Sequence, residues 1–308
     1  MTSEPIVHIT GLTKRYPGSS RLALNNLDLS IQPGEIFGYL GPNGAGKTTT
    51  IRLMLNFIRP SAGSIRVLGL DANRHSTRVR QQVGNLPGEL NLWDHLTGRH
   101  TLRYLSGLRP GCDLRYAYEL AEQLDLDLDI RCGSYSTGNK RKLGIIQAMM
   151  HRPPLLILDE PTTGLDPLAR QTFQQMLAAA RSEGRTVFLS SHILSEVQAV
   201  CDRVAIIRGG ELQTVMPMAR LSDAIERHVT IYSPDSLTVD QWASLDGVAH
   251  AQAGPGFIRL RVTGSLDSVV KFAARHRVDN LQVETSGLEE LFMTFYGRNG
   301  ASNNRKKE

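Results

Sequence analysis

Ten residues, Gly41 to Thr50 (GPNGAGKTTT), gather three glycines, three threonines and one lysine. The order Gly41, four residues, Gly46, Lys47, Thr48 has the spacing of a loop that binds a polyphosphate. The stretch Gly41, Pro42, Asn43, Gly44, Ala45, Gly46 can curl so that successive backbone N–H groups point inward at an anion. Lys47 would reach the β- and γ-phosphates of a nucleotide, the Thr48 hydroxyl could ligate Mg²⁺, and Thr49 closes the candidate nucleotide-binding stretch. A helix following the loop would aim its positive end at the same phosphates.

Two further runs carry candidate chemistry. PLLILDEP is an uninterrupted apolar run with acids at its end, the pattern of a buried parallel strand with function at its carboxyl end. Asp159 there could orient Mg²⁺, and Glu160 could accept a proton from an attacking water. TVFLSSH is a second such strand, closed by His192. A neutral histidine at that place could hydrogen-bond a γ-phosphate or the catalytic glutamate.

These runs need elements to position them. The first sixty residues read as short strands, IVHIT, LALNNLDLSI and EIFGYL, the last two joined by a turn at QPGE. After the loop, Ile51, Met54, Leu55 and Ile58 recur at helical spacing, with Pro60 and Gly63 as stop signals. SIRVLG reads as another strand. Residues 75–125 read as mostly helical and polar. A helix with Phe173, Met176, Leu177 and Ala180 on one face follows the acids, and RVAIIRGGELQTV reads as a hairpin. Beyond about residue 215 the texture changes. HVTIYS and FIRLRVT alternate like half-buried strands. Leu266, Val269, Val270 and Ala273 mark one helix, and Leu288, Leu291, Phe292 and Phe295 another. This part reads as a small α+β unit.

The chain has 308 residues, 41% hydrophobic and 21% charged, room for one large domain and a small one. No run of about 18 apolar residues occurs, so no membrane-spanning helix is expected. The start, MTSEPIVHIT, lacks the pattern of a secretion signal. Cys112, Cys132 and Cys201 have neither metal nor disulfide spacing and suit a reducing cytoplasm as structural residues. The formal net charge of +5 has no long basic run behind it except the tail NNRKKE, which reads as a solvated end.

GPNGAGKTTT, YSTGNKRK, LLILDEPTTGLDP and SSH occur in that order, and in this combination the chain resembles the ATP-binding-cassette (ABC) family over residues from about 5 to 215. The resemblance implies an α/β P-loop NTPase with an antiparallel β subdomain and a helical subdomain over 1–215. It leaves 216–308 as a small α+β C-terminal accessory domain with a basic tail. It implies a homodimer closed over ATP, the P-loop of one copy facing the signature loop of the other. Ser136, Thr137 and Gly138 would take the signature positions, with a helix beginning near Lys140. Asp166 would be the acid of the loop that crosses the dimer, and Tyr16 the aromatic that stacks on adenine. Glu160 and His192 would be catalytic, with Mg²⁺ held at Thr48 and Asp159.

Two departures stand out. The signature reads STGN rather than the commoner SGGQ. In VGNLPGEL, Gly88 stands where the family usually has Gln, so Glu89 is the candidate to take over the Mg²⁺ and water contact. The likeness is greatest to ATPases of bacterial drug and antibiotic exporters, carried by LPGELNLWDHLTGRH, YSTGNKRKLGIIQAM and SGLEELFMTFYG. It implies a peripheral subunit on the cytoplasmic face of the membrane, working with a separate integral permease. Residues 88–110, with Trp93 and Leu96, would dock on that permease. The C-terminal domain would be regulatory or dimer-stabilising. The other readings are the ATPase of an importer and a non-transport ATPase acting on nucleic acid. The single P-loop and the absence of a heptad run oppose the second, so no nucleic-acid partner is expected.

Overall fold

The computed structural model describes residues 4–109, 112–224, 226–234 and 238–285. The chain divides into two compact units, Met1–Met216 and Pro217–Glu308.

The first unit opens with β1 (Val7–Arg15), β2 (Leu22–Ile31) and β3 (Ile36–Leu40), followed by α1 (Lys47–Met54), β4 (Ala62–Val67), β5 (Leu70–Asp71) and α2 (Ser76–Gln82). It continues with β6 (Val83–Leu86), α3 (Gly98–Gly107), α4 (Leu114–Gln123), α5 (Thr137–Met149), β7 (Leu155–Asp159), α6 (Pro167–Ser182), β8 (Thr186–Ser191) and α7 (Leu194–Val200), then β9 (Arg203–Arg208) and β10 (Glu211–Pro217). The second unit holds α8 (Met218–Ala224), β11 (Glu226–Tyr232), α9 (Val239–Ala243), β12 (Val248–Gly254), β13 (Phe257–Thr263), α10 (Asp267–Ala273) and β14 (Asn280–Thr285).

Every residue of β3, β7 and β8 is buried, as strands covered on both faces must be. They lie in a six-stranded sheet of order β10-β9-β3-β8-β7-β6. β3 pairs in parallel with β8 and β9, and β7 with β8 and β6. Parallel pairing carries the ends of these strands to one edge of the sheet. There Leu40 lies opposite Ser191, and Asp159 opposite Ser190. The apolar runs thus bring the P-loop, the acidic pair and His192 to one place.

A second, antiparallel sheet has the order β2-β1-β4-β5. Its inward residues Ile9, Leu12, Leu27 and Ile65 share one core with Phe37, Tyr39, Ile51, Ile157 and Phe188 of the first sheet and α1. Each such side chain, fully buried, contributes about 1.5–3 kcal/mol from removal of apolar surface from water. That core fixes α1, and hence the loop before it, against both sheets.

β6 and α1 differ from the sequence expectation. Val83–Leu86, within the stretch expected to be mostly helical, is the strand β6. Its Gly-Asn centre has no strand preference of its own. Pairing with β7 makes it a strand, and α5 lies so close that a Cβ on Gly84 would fall 2.1 Å from the Ala148 carbonyl. The helix α1 stops at Met54, before Pro60 is reached, because Asn56 adopts φ 53°. Ile58 lies beyond the helix and still packs on the core.

Cys132 and Cys201 are buried free thiols, and Cys112 is half-buried. Among the described residues no helix is long and apolar enough to cross a membrane.

In the second unit, β11, α9, β12, β13, α10 and β14 follow one another, with the sheet order β12-β13-β11-β14 and antiparallel pairing throughout. This is the ferredoxin-like β-α-β-β-α-β arrangement. Alternate residues Val229 and Ile231 of β11 and Ile258, Leu260 and Val262 of β13 face a core with Trp242, Val269 and Ala273. Trp242 meets Phe272 edge-on at 4.8 Å between ring centroids. Phe272 packs on this core while Val270, counted in the sequence stripe, is exposed. The expected helix of Leu288, Leu291, Phe292 and Phe295, and the basic tail, lie outside the described residues.

Candidate nucleotide site

Gly46 ends the loop at φ 112° and caps α1 with no side-chain hydrogen bond, so the first N–H groups of the helix stay open toward the loop. A Cβ at Gly46 would lie 2.8 Å from Leu24 Cδ2 and 2.9 Å from the Ala23 carbonyl, so glycine is required for space as well as for φ. The loop is tied back by Ala45 N–H to the Pro42 carbonyl at 3.1 Å, and by Gly41 N–H to the Ser191 carbonyl at 3.2 Å. Asn43, Gly44, Gly46, Lys47, Thr48 and Thr49 line a cavity of about 200 Å³ with Ala23 and Glu160.

Lys47 is buried, with 6% of its side chain exposed. Its ammonium donates to the Gly41 carbonyl at 2.7 Å and the Pro42 carbonyl at 3.3 Å, and lies 3.2 Å from Glu160 Oε1. Glu160 offers its other oxygen to His192 Nδ1 at 2.8 Å. Lysine, glutamate and histidine form one polar chain, of which Lys47 and Glu160 line the cavity. Glu160 itself adopts φ 49°, a left-handed conformation that costs a non-glycine residue on the order of 1–3 kcal/mol. Its N–H is held by the Ser190 carbonyl at 3.1 Å and its carbonyl by Arg141 Nη2 at 2.7 Å.

Asp159, 1% exposed, accepts a hydrogen bond from Thr48 Oγ1 at 2.7 Å on Oδ2 and one from Ser190 Oγ on Oδ1. Two hard oxygen donors, from the start of α1 and from the end of β7, therefore meet. That suits Mg²⁺, which takes one or two protein oxygens and completes its shell with phosphates and water. Glu89 lines a neighbouring cavity of about 370 Å³ together with Thr48, Asp159 and Glu160. Gly88 lies against Asp159: a Cβ there would come 3.3 Å from Oδ2. Tyr16 reaches the same loop through its hydroxyl, 3.3 Å from Thr49 Oγ1.

The signature residues sit elsewhere. α5 begins at Thr137, three residues ahead of the Lys140 start expected from sequence, because the Ser136 hydroxyl caps it by accepting from Asn139 N at 3.2 Å. Gly138 lies under the TTGLDP loop, where a Cβ would meet the Gly164 carbonyl at 2.7 Å, and the Thr137 methyl packs beside Gly164. Asp166 caps α6, accepting from Ala169 N at 2.8 Å, and this bond first, with the nearby Lys142 charge, holds its carboxyl below the usual range. Thr137 and Gly138 thus lie against Gly164, and none of Ser136, Thr137, Gly138 and Asp166 lines the cavity of Lys47.

Sequence reasoning passed over two residues of this neighbourhood. Ser190 was legible in principle, as the partner of Asp159 in the parallel register. Arg141, 4% exposed, was not, because nothing in YSTGNKRK separates it from its exposed-looking basic neighbours.

Comparison with known proteins agrees with this geometry. The family described as ABC transporter matches residues 24–163. The bacitracin transport ATP-binding protein of Bacillus licheniformis is 34% identical over 234 residues, covering 75% of this chain and 76% of that protein. The Nod factor export ATP-binding protein I of Burkholderia lata is 34% identical over 241 residues, covering 76% and 78%. Among solved structures, one described as the ATP-binding subunit of an ABC transporter superposes with a TM-score of 0.66 at 27% identity, covering 70% of this chain and 91% of that one. With a P-loop, an acidic strand end and a strand-end histidine meeting at one edge of an ABC-type fold, the chain belongs to the ATP-binding proteins of ABC transporters and is an ATPase.

Proposed function

We propose that this chain is the nucleotide-binding subunit of an exporter, driving the passage of a drug, antibiotic or other hydrophobic compound through a separate membrane polypeptide. The observation that carries the catalytic part is the chain Lys47–Glu160–His192 beside the Thr48–Asp159 contact. Bound triphosphate draws the Lys47 ammonium to its β- and γ-oxygens, in competition with Glu160. Glu160 then takes a proton from the attacking water, and His192 holds the carboxylate in place. Thr48 and Asp159 would hold Mg²⁺, which would supply positive charge against the phosphate oxygens; Glu89 borders the neighbouring cavity that Thr48 and Asp159 also line. Tyr16, whose hydroxyl lies 3.3 Å from Thr49 Oγ1, would be the aromatic that stacks on adenine.

The separation of the signature group from the Lys47 cavity supports a sandwich of two copies. A second copy's Ser136, Thr137 and Gly138, with Asp166 in the crossing loop, would close over the nucleotide. Cleavage removes the γ-phosphate contacts and with them part of the glue. Trp93 and Tyr104, both exposed and edge-on to each other at 5.3 Å, support a docking face for the membrane subunit within residues 88–110. The likeness to a Nod factor export protein supports the outward direction.

The test is to add Mg²⁺ and ATP to the Glu160→Gln protein and follow its mass in solution, then to isolate the tagged chain from membranes. A dimer that forms only with ATP, and an integral polypeptide that co-purifies, are expected. A monomer at saturating ATP overturns the sandwich. Co-purification of nucleic acid with no membrane protein overturns the transport reading.

A further inference from the structure

Arg141 is a buried cation that touches neither the loop nor the cavity of Lys47. Its guanidinium bridges two carbonyls from different parts of the chain. Nη2 donates to Glu160 O at 2.7 Å, and Nη1 donates to Pro87 O at 2.8 Å. The planar fork fixes the angle between these two bonds, so the two carbonyls are held at a set separation. Burial pulls the pKa of this guanidinium down, and the nearby carboxylates of Asp159 and Glu160 offset that only in part.

Each partner has mechanical meaning. Glu160 sits in a left-handed conformation that the surroundings must enforce, and Arg141 grips its carbonyl while Ser190 grips its N–H. Pro87 directly precedes Gly88 and Glu89, the loop that borders Asp159. Arg141 rides on α5, whose amino end carries Ser136, Thr137 and Gly138. α5 is keyed to β6, the strand that leads into Pro87, by the close approach of Gly84 to the Ala148 carbonyl.

We infer that Arg141 is a positioning residue, coupling the signature helix and the Pro87–Glu89 loop to the orientation of the Glu160 carboxylate. Gly88 has no side chain to relay position through this loop, and the Arg141 fork supplies a link through the main chain instead. This inference rests on Glu160 being the general base.

The test is a double-substitution cycle on the full chain, measuring Mg²⁺-ATP hydrolysis, including the slow residual rate by radiolabelled phosphate release. Arg141→Lys keeps a charge but loses the fork. It should lower kcat about 10–100-fold, the scale of an ångström misplacement of a reacting group, with KM within about twofold of the parent. In the Glu160→Gln background, where there is no base left to orient, the same change should cost less than about twofold. Arg141→Gln, which can still serve one carbonyl, gives a second pass through the cycle if Arg141→Lys does not fold. Equal losses in both backgrounds, or a raised KM with unchanged kcat, overturn the inference and leave the base assignment standing. A parental rate in Glu160→Gln alone overturns the base assignment, and this inference with it.

Discussion

His192 Nδ1 lies 2.8 Å from Glu160 Oε2, and each residue ends or directly follows a buried parallel strand. An ionised carboxylate can only accept, so the proton of this bond resides on Nδ1 and leaves Nε2 directed elsewhere. The histidine therefore fixes one carboxylate oxygen while Lys47 faces the other. Replacing Glu160 by Gln should keep the packing and remove the base, so turnover should fall about 10²–10⁴-fold while nucleotide affinity is retained. His192→Ala should cost less, about 10–100-fold in kcat, because the base remains but is no longer held. Phosphate release together with equilibrium nucleotide binding checks both; unchanged release from Glu160→Gln removes that residue from the role.

Lys47→Ala should weaken ATP binding about 10–100-fold, the loss of a charge-assisted hydrogen bond of about 1.5–3 kcal/mol. The substitution also leaves Glu160 without the ammonium 3.2 Å away. Calorimetric titration with ATP in the absence of hydrolysis measures the change. Parental affinity would contradict the assignment of the loop.

Much of the site was legible because its residues sit at ends of strands whose burial is written in unbroken apolar runs. Once β3, β7 and β8 are read as parallel, Lys47, Asp159, Glu160 and His192 must share an edge. What remained hidden was decided by contacts distant in the chain. β6 is made a strand by β7 and α5, the Ser136 cap lengthens α5 by its first turn, and Arg141 acquires its role from two carbonyls, 54 and 19 residues away. No local propensity encodes such relationships.

Glu89 and Gly88 separate two ways of replacing the glutamine that the family usually places here. Glu89 borders the cavity of Thr48, Asp159 and Glu160, where its carboxylate would be the added donor on that side. Glu89→Ala should lower Mg²⁺-dependent turnover about tenfold or more, within the range of lost ligand-positioning groups, and raise the Mg²⁺ concentration needed for half-activity. Gly88→Ala should cost less, about threefold, since its new methyl meets Asp159 Oδ2 at 3.3 Å, a contact that a small shift relieves. Titrating activity against Mg²⁺ for both variants decides the order; the reverse ranking would mean that position 88, not 89, governs the loop.

His151 offers a prediction about stability and acid. Burial, and then the Arg109 guanidinium whose Nη1 lies 2.8 Å from Nε2, push its pKa down from 6.5 to about 4. Arg109 can only donate, so this imidazole must be neutral in the folded protein. The unfolded chain takes up the proton below about pH 6.5, whereas the folded chain resists until about pH 4. The unfolded state thus binds more protons across that window, and stability declines as the pH falls through it. Below the folded pKa the loss is complete, on the order of 1–2 kcal/mol once the partial exposure of the ring is allowed for. His151→Gln keeps an acceptor for Arg109 and carries no titrating group. Its unfolding midpoint should therefore vary less between pH 6.5 and 4 than that of the parent, and the two curves should converge in shape above pH 7. Denaturant titrations across that range test it; parallel curves would mean that His151 is protonated alike in both states.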